Sequence, residues 1–160
     1  MNLFYLSRDP VEAARMQCDR HVVKMILETA QMLSTAHIEL DGNQVAYKAT
    51  HKNHPSTVWV RSSATAYQWA FTHMMALGEE YTRRYGKVHK TIREHAKVLS
   101  MCPSSLAATG GDPLIDPPQC MYDDCKRDDT VLAYQLYYNA KADEWAAQGR
   151  PMTWEGKTNE

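Results

Sequence analysis

His21, Lys24, Glu28 and Gln31 fall at steps of three, four and three residues, which places all four on one face of a helix. A carboxylate flanked by a lysine and an imidazole can act as a general acid or base with a tuned proton affinity. A lysine in such a stripe can also trap an aldehyde as a Schiff base. The same spacing fits an exposed helix face braced by an i,i+4 Lys24–Glu28 ion pair, worth a few tenths of a kcal/mol.

A second cluster, His51-Lys52-Asn53-His54-Pro55, stands just ahead of a helix signal. Amides and cations there would meet the positive end of the helix dipole and offer an anion site. Two histidines three apart could ligate a metal only with a further ligand such as Glu28 or His37. Capping and packing explain the same residues without a ligand. Glu79-Glu80, followed a turn later by Arg83 and Arg84, resembles the acidic helix pairs that hold magnesium, but no partner pair of acids stands at helical spacing elsewhere. The ion pairs Glu79–Arg83 and Glu80–Arg84 account for these residues without catalysis. Cys120 and Cys125 have no second cysteine pair to complete a zinc site. Gly110-Gly111-Asp112-Pro113 lacks the lysine and helix of a phosphate loop. The cysteine spacing is also wrong for a zinc deaminase. No metal site is expected.

These groups need helices to position them. Asp9-Pro10-Val11-Glu12 is a strong helix start, and helical periodicity runs from Val11 to about His37. Val22, Val23, Ile26, Leu27, Ala30 and Leu33 share the apolar arc, with the His21–Gln31 stripe in the arc opposite. A loop covers residues 41–55. A second helix is expected from Pro55-Ser56 to Tyr85, stopped by Gly86, and a third from Val88 to Met101. Residues 103–127 hold Pro103, Pro113, Pro117, Pro118 and Gly110-Gly111, so they cannot be regular. Asp128-Asp129 caps a fourth helix that closes at Gly149. Asn2–Leu6 is the one strand candidate. The expectation is a single all-α domain over residues 1–160, of about four helices, with a long irregular connection before the last.

The chain has 160 residues, 44% of them apolar and 23% charged, which fits a globular protein rather than a disordered one. Lys and Arg total 18 against 19 Asp and Glu, a net charge of −1, so the chain is not a nucleic-acid binder that is basic throughout. The charge is segregated, however. Residues 81–97 carry Arg83, Arg84, Lys87, Lys90, Arg93 and Lys97 against Glu94 alone, while residues 112–129 hold six Asp. A basic helix pair with Tyr81 and Tyr85 interleaved can track a phosphate backbone, or can be a solvated face. No apolar run is long enough to span a membrane, and the first residues do not read as a secretory signal. Four cysteines in that setting are expected to be reduced, in a cytoplasmic protein.

Three segments, in this order, resemble the phage-type pyrimidine dimer DNA glycosylase/AP lyase family. They are Asp19-Arg20-His21 with Glu28 seven residues after the histidine; His54 opening an aromatic-rich helix that ends in a basic stretch and Tyr85-Gly86-Lys87; and Arg150-Pro151 with Thr153-Trp154 after a helix rich in Ala, Lys and Gln. The resemblance implies a compact all-α fold acting on damaged pyrimidines in double-stranded DNA, without a cofactor. It implies a nucleophilic α-amine that attacks the sugar C1′ to form a Schiff base, and a glutamate that stabilises the sugar cation and shuttles protons. An α-amine suits this role because it is less basic than a lysine side chain, about pKa 8 against about 10.

Carried onto this chain, the amine is that of Met1, because Asn2 is a residue that usually blocks methionine removal. The glutamate is Glu28, and His21 orients it or shares its proton. The resemblance and the charge pattern together assign phosphate or substrate contact to Arg20, Lys24, Gln31, His51, Lys52, His54, Arg83, Arg84, Lys87, Lys90 and Arg150. Trp154 is assigned to stack on or wedge beside a base. The family's arginines just before the glutamate and three after it are here Leu27 and Gln31. The expected function is a glycosylase, alone or with AP-lyase activity. The other readings are a base- or nucleotide-modifying enzyme on the same scaffold and a non-catalytic helical protein that binds nucleic acid or another protein. If phage-encoded, it would work in the cytoplasm of a bacterial host.

Overall fold

A computed structural model describes residues 1–154 and contains six α-helices and two short 3-10 turns. The all-α expectation holds, but two of the expected long helices are each broken once. The first begins where Asp9 signals it, with the Asp9 carboxylate accepting from the amides of Val11 and Glu12 at 2.9 and 3.3 Å. It divides into α1 (Pro10–Met16) and α2 (Asp19–Asp41). Gln17 and Cys18 between them are extended, with ψ of 144° and 160°. The break buries the Gln17 amide, which donates to the Leu3 carbonyl at 3.3 Å and lies 3.0 Å from His73 Nε2.

Arg84 braces the break. Its guanidinium donates to the carbonyls of Gln17 (2.9 Å) and Arg15 (3.1 Å) and to the Asp19 carboxylate (3.0 Å). A cation there serves the carbonyls that a helix C-terminus leaves unpaired.

The second expected helix divides into α3 (Pro55–Val60) and α4 (Ala64–Tyr85). The signal lay in Arg61-Ser62-Ser63: Ser63 is an N-cap whose hydroxyl accepts from the Ala66 amide at 3.0 Å. Gly86 ends α4 in the left-handed region at φ 72°, as its residue type requires. α5 covers Lys90–Leu99 and folds back closely: a Cβ built on Gly78 would lie 2.8 Å from Ile92 Cγ1. Residues 103–127 are largely irregular, with 3-10 turns at Ser104–Thr109 and Asp123–Cys125. α6 (Thr130–Ala147) starts at Asp129, as expected. The last six residues of the expected 1–160 domain lie outside the described residues.

Asn2–Leu6 is not a strand. It is an extended run on which Leu3, Phe4, Tyr5 and Leu6 are all buried. No strand lies beside it among the described residues. Side chains take its carbonyls instead: Gln17 bonds Leu3 O and Gln135 bonds Leu6 O. The run packs into the same core as residues of α2, α3, α4 and α6.

The buried arc of α2 is also rotated from the expected one. Val22, Ile26, Ala30 and Leu33 are buried, but Val23 and Leu27 are 40% and 38% exposed, and His21 is buried in their place. Hydrophobicity alone ranked all the apolar positions together. The aromatic N-terminal run and α6 claim the side of α2 that carries His21. No helix among the described residues is long and apolar enough to cross a membrane.

Candidate active site

The buried N-terminal run brings the chain's α-amine to α2. The Met1 nitrogen lies 3.5 Å from Glu28 Oε1, and Lys24 Nζ lies 3.7 Å from Oε2. Two features bend the run so that the amine faces the carboxylate. The Asn2 side chain accepts from the Phe4 amide at 2.9 Å and donates to the Cys120 carbonyl at 3.0 Å. Phe4 adopts φ 50°, the left-handed region that costs a non-glycine residue about 1–2 kcal/mol. Its ring stacks on His21 with centroids 4.1 Å apart, and that packing helps offset the strain. Glu28 Oε2 is buried and has no hydrogen-bond partner; the Lys24 ammonium is its nearest ion-pair contact.

His21 is held by three aromatic neighbours. Its Nδ1 lies 2.7 Å from the Tyr138 hydroxyl, Phe4 covers one ring face and the Trp145 ring approaches at 72°. Burial, with Lys141, Lys24 and Arg20 adding to it, pushes its pKa down to about 3, so the ring is neutral at physiological pH. The Cys18 amide donates to the Tyr138 hydroxyl at 3.0 Å. With the hydroxyl hydrogen assigned to the shorter contact, Nδ1 accepts and Nε2 carries the ring proton.

The cavity around these groups has a volume of about 520 Å³. Of the residues singled out in the sequence, Met1, Arg20, His21, Lys24, Glu28 and His54 line it. Arg20 lies 4.6 Å over the Trp145 ring and, with Trp145, also borders an adjoining depression that holds Arg150. Gln31 is half-buried one turn beyond Glu28 and is not part of the lining.

His54 caps α3 through Nδ1, which accepts from the Ser56 amide at 3.1 Å. The anion site expected at this helix start is therefore partly filled by the ring itself. Burial lowers the His54 pKa, the N-terminal charge adds to this, and Glu28 opposes it. His51 and Lys52 are exposed on the turn before it and outside the cavity.

The basic stretch divides. Lys87 and Lys90 are exposed at the corner between α4 and α5. His89, next to them, faces the Val23 carbonyl of α2. Arg83 pairs with the buried Glu80 at 2.6 Å, where Glu79 had been expected. Arg84 does not reach outward for phosphate, because its guanidinium is spent on Gln17, Arg15, Asp19 and Glu80. Trp154 is not free to wedge beside a base. It is 7% exposed, meets the Tyr138 ring edge-on, and its indole nitrogen donates to Asn139 at 3.1 Å. No group of three or more His, Cys, Asp or Glu poised for a metal occurs among the described residues.

The rest of the lining, which the sequence reading did not place at the site, is Asn2, Phe4, Met25, Cys120, Met121, Tyr122, Tyr137, Lys141 and Trp145. Tyr137, Lys141 and Trp145 recur every four residues on α6, an aromatic–cation stripe that could have been read. Cys120–Tyr122 sit in the irregular segment, where no periodicity signals a face.

An amine and a carboxylate presented to one cavity are the two groups that Schiff-base chemistry needs. The family model described as "Pyrimidine dimer DNA glycosylase" matches residues 1–94, more than half of the chain, and the chain belongs to that family. DNA is the substrate that membership implies. No curated protein and no solved structure matches the chain.

Proposed function

We propose that this chain is an N-glycosylase with AP-lyase activity on damaged or modified pyrimidines in double-stranded DNA. The Met1 α-amine is the nucleophile and Glu28 the acid/base. The 3.5 Å separation of the Met1 nitrogen and Glu28 Oε1 carries this reading, because a general base must reach the proton it moves. Glu28 takes a proton from the ammonium, and the free amine attacks C1′ as the base departs with the bond's electron pair. The departing base takes the proton that the attacking nitrogen sheds. Ring opening, with the proton from Glu28 passing to O4′, gives the iminium and restores the carboxylate. Glu28 then removes a C2′ proton, the 3′ phosphate leaves, and water releases the amine.

His21, neutral and walled in by aromatic rings, is a positioning residue that fixes the Phe4 bend. Arg20, Lys24 and Arg150 would hold phosphates at the mouth, with Lys87, Lys90 and Arg83 farther along. Gln31, His51, Lys52 and His54 would contact substrate as the duplex closes over α2 and α3.

Borohydride trapping on duplex DNA with an abasic site tests the reading. Glu28→Gln should lower the trapping rate by about 10²–10⁴-fold while duplex binding persists. Undiminished trapping in that variant would remove the carboxylate from the mechanism. Binding with no adduct in the unaltered chain would make the protein a non-catalytic binder.

A further inference from the structure

Lys141 is a cation of the same cavity that the proposed reaction does not use. Its ammonium lies over three aromatic rings, 4.9 Å from the Tyr137 centroid, 5.8 Å from Trp145 and 5.9 Å from Phe4. It has no ion pair among the described residues. Lys24, the other lysine in the lining, is 66% exposed at its side chain and paired with Glu28. Lys141 is half-buried. Burial lowers its proton affinity, Lys24 adds to that, and Glu144 and Cys18 oppose it. Aromatic faces attract the ammonium and favour its charged form, while the loss of water on burial favours release of its proton. Phe4 links the two amines, since its bend aims Met1 at Glu28 and its ring carries Lys141.

We propose that Lys141 is a second nucleophile of this site, forming a Schiff base with the aldehyde of a preformed abasic deoxyribose when the α-amine is blocked or displaced. This rests on the AP-lyase reading above. The free Nζ adds to C1′ of the ring-opened sugar, and the carbinolamine loses water to become an iminium. Glu28 removes a C2′ proton, and the C3′–O bond breaks with its electron pair leaving on the phosphate. Water hydrolyses the iminium and restores the lysine. No oxidant or reductant is consumed. The abasic aldehyde is the substrate because it is already electrophilic, with no base left to expel.

The test is borohydride trapping on abasic duplex, followed by proteolysis and mass mapping of the modified nitrogen. It compares the unaltered chain with one extended at its N-terminus. In the extended chain the adduct should map to Lys141. Lys141→Arg in that background keeps the cation but not the amine, and should lower trapping by about tenfold or more. An adduct confined to the new N-terminus or to Lys24, or one that survives Lys141→Arg, overturns the proposal. Trapping at Met1 in the unaltered chain with none at Lys141 in the extended chain overturns it too, and leaves the α-amine lyase standing. No adduct in either chain overturns both.

Discussion

Asn2 would be unremarked in a search for catalytic side chains, yet it ties the amine's position to two distant backbones. Its amide nitrogen holds the Cys120 carbonyl and its oxygen holds the Phe4 amide. Asn2→Asp keeps the second bond and loses the first. The expected outcome is a fall of about 10–100-fold in the abasic-site cleavage rate with little change in duplex affinity, because a small misplacement of a nucleophile is costly. Single-turnover cleavage alongside a binding titration would check this, and parallel losses in both would argue against a positional role. Glu28 and His21 were legible in the sequence because spacing on one helix fixes a shared face. Phe4 was not, because its role depends on a positive φ that phenylalanine rarely adopts and on a stacking contact with His21 that only the fold creates.

The element that most needs bracing is the broken α1–α2 junction. Removing the Arg84 side chain strands the carbonyls of Arg15 and Gln17 and leaves buried Glu80 with only Arg83. Arg84→Ala should cost about 3 kcal/mol in chemical denaturation. Arg83→Ala, with its partner's other ion pair retained, should cost under about 1 kcal/mol. Equal effects would mean that the junction does not depend on Arg84. At the α4–α5 contact, Gly78→Ala gains about 1 kcal/mol of helix propensity but drives a Cβ to 2.8 Å from Ile92. The net expectation is a loss of about 1 kcal/mol, recovered relative to its own parent when Ile92 is first cut to Ala. Additive losses in that cycle would place the strain elsewhere. Helix starts at Asp9, Pro55 and Asp129 were legible because caps are local chemistry. The breaks at Gln17 and Ser62 were harder to read. Residues far along the chain, His73 and Arg84, stabilise the first.

Across the whole molecule, buried neutral histidines make stability depend on pH. Burial pushes His21 to about 3 and His73 to about 4, both from an ordinary 6.5, and lowers His37, His54 and His89 in the same direction. The unfolded chain therefore binds more protons than the folded one between those values and 6.5. The stabilisation is complete above about pH 6.5 and is lost as pH falls toward 4. Denaturation at pH 5 should show a loss on the order of 1–2 kcal/mol each from His21 and His73 relative to pH 7. His21→Phe should flatten its share of that slope. A protein equally stable at pH 5 and pH 7 would contradict the burial argument.

The all-α class was legible from periodicity along the whole chain. The assembly of the site was not, because the partners that complete it are so far apart. Asn2 meets Cys120, Cys18 meets Tyr138 and Leu6 meets Gln135, across separations of 118, 120 and 129 residues. A ribosome must therefore finish most of the chain before the N-terminus can settle. Until then the amine and Glu28 belong to an incomplete cavity. On the proposed reading, the nascent amine gains its reactivity toward abasic DNA only once α6 has joined the N-terminal run.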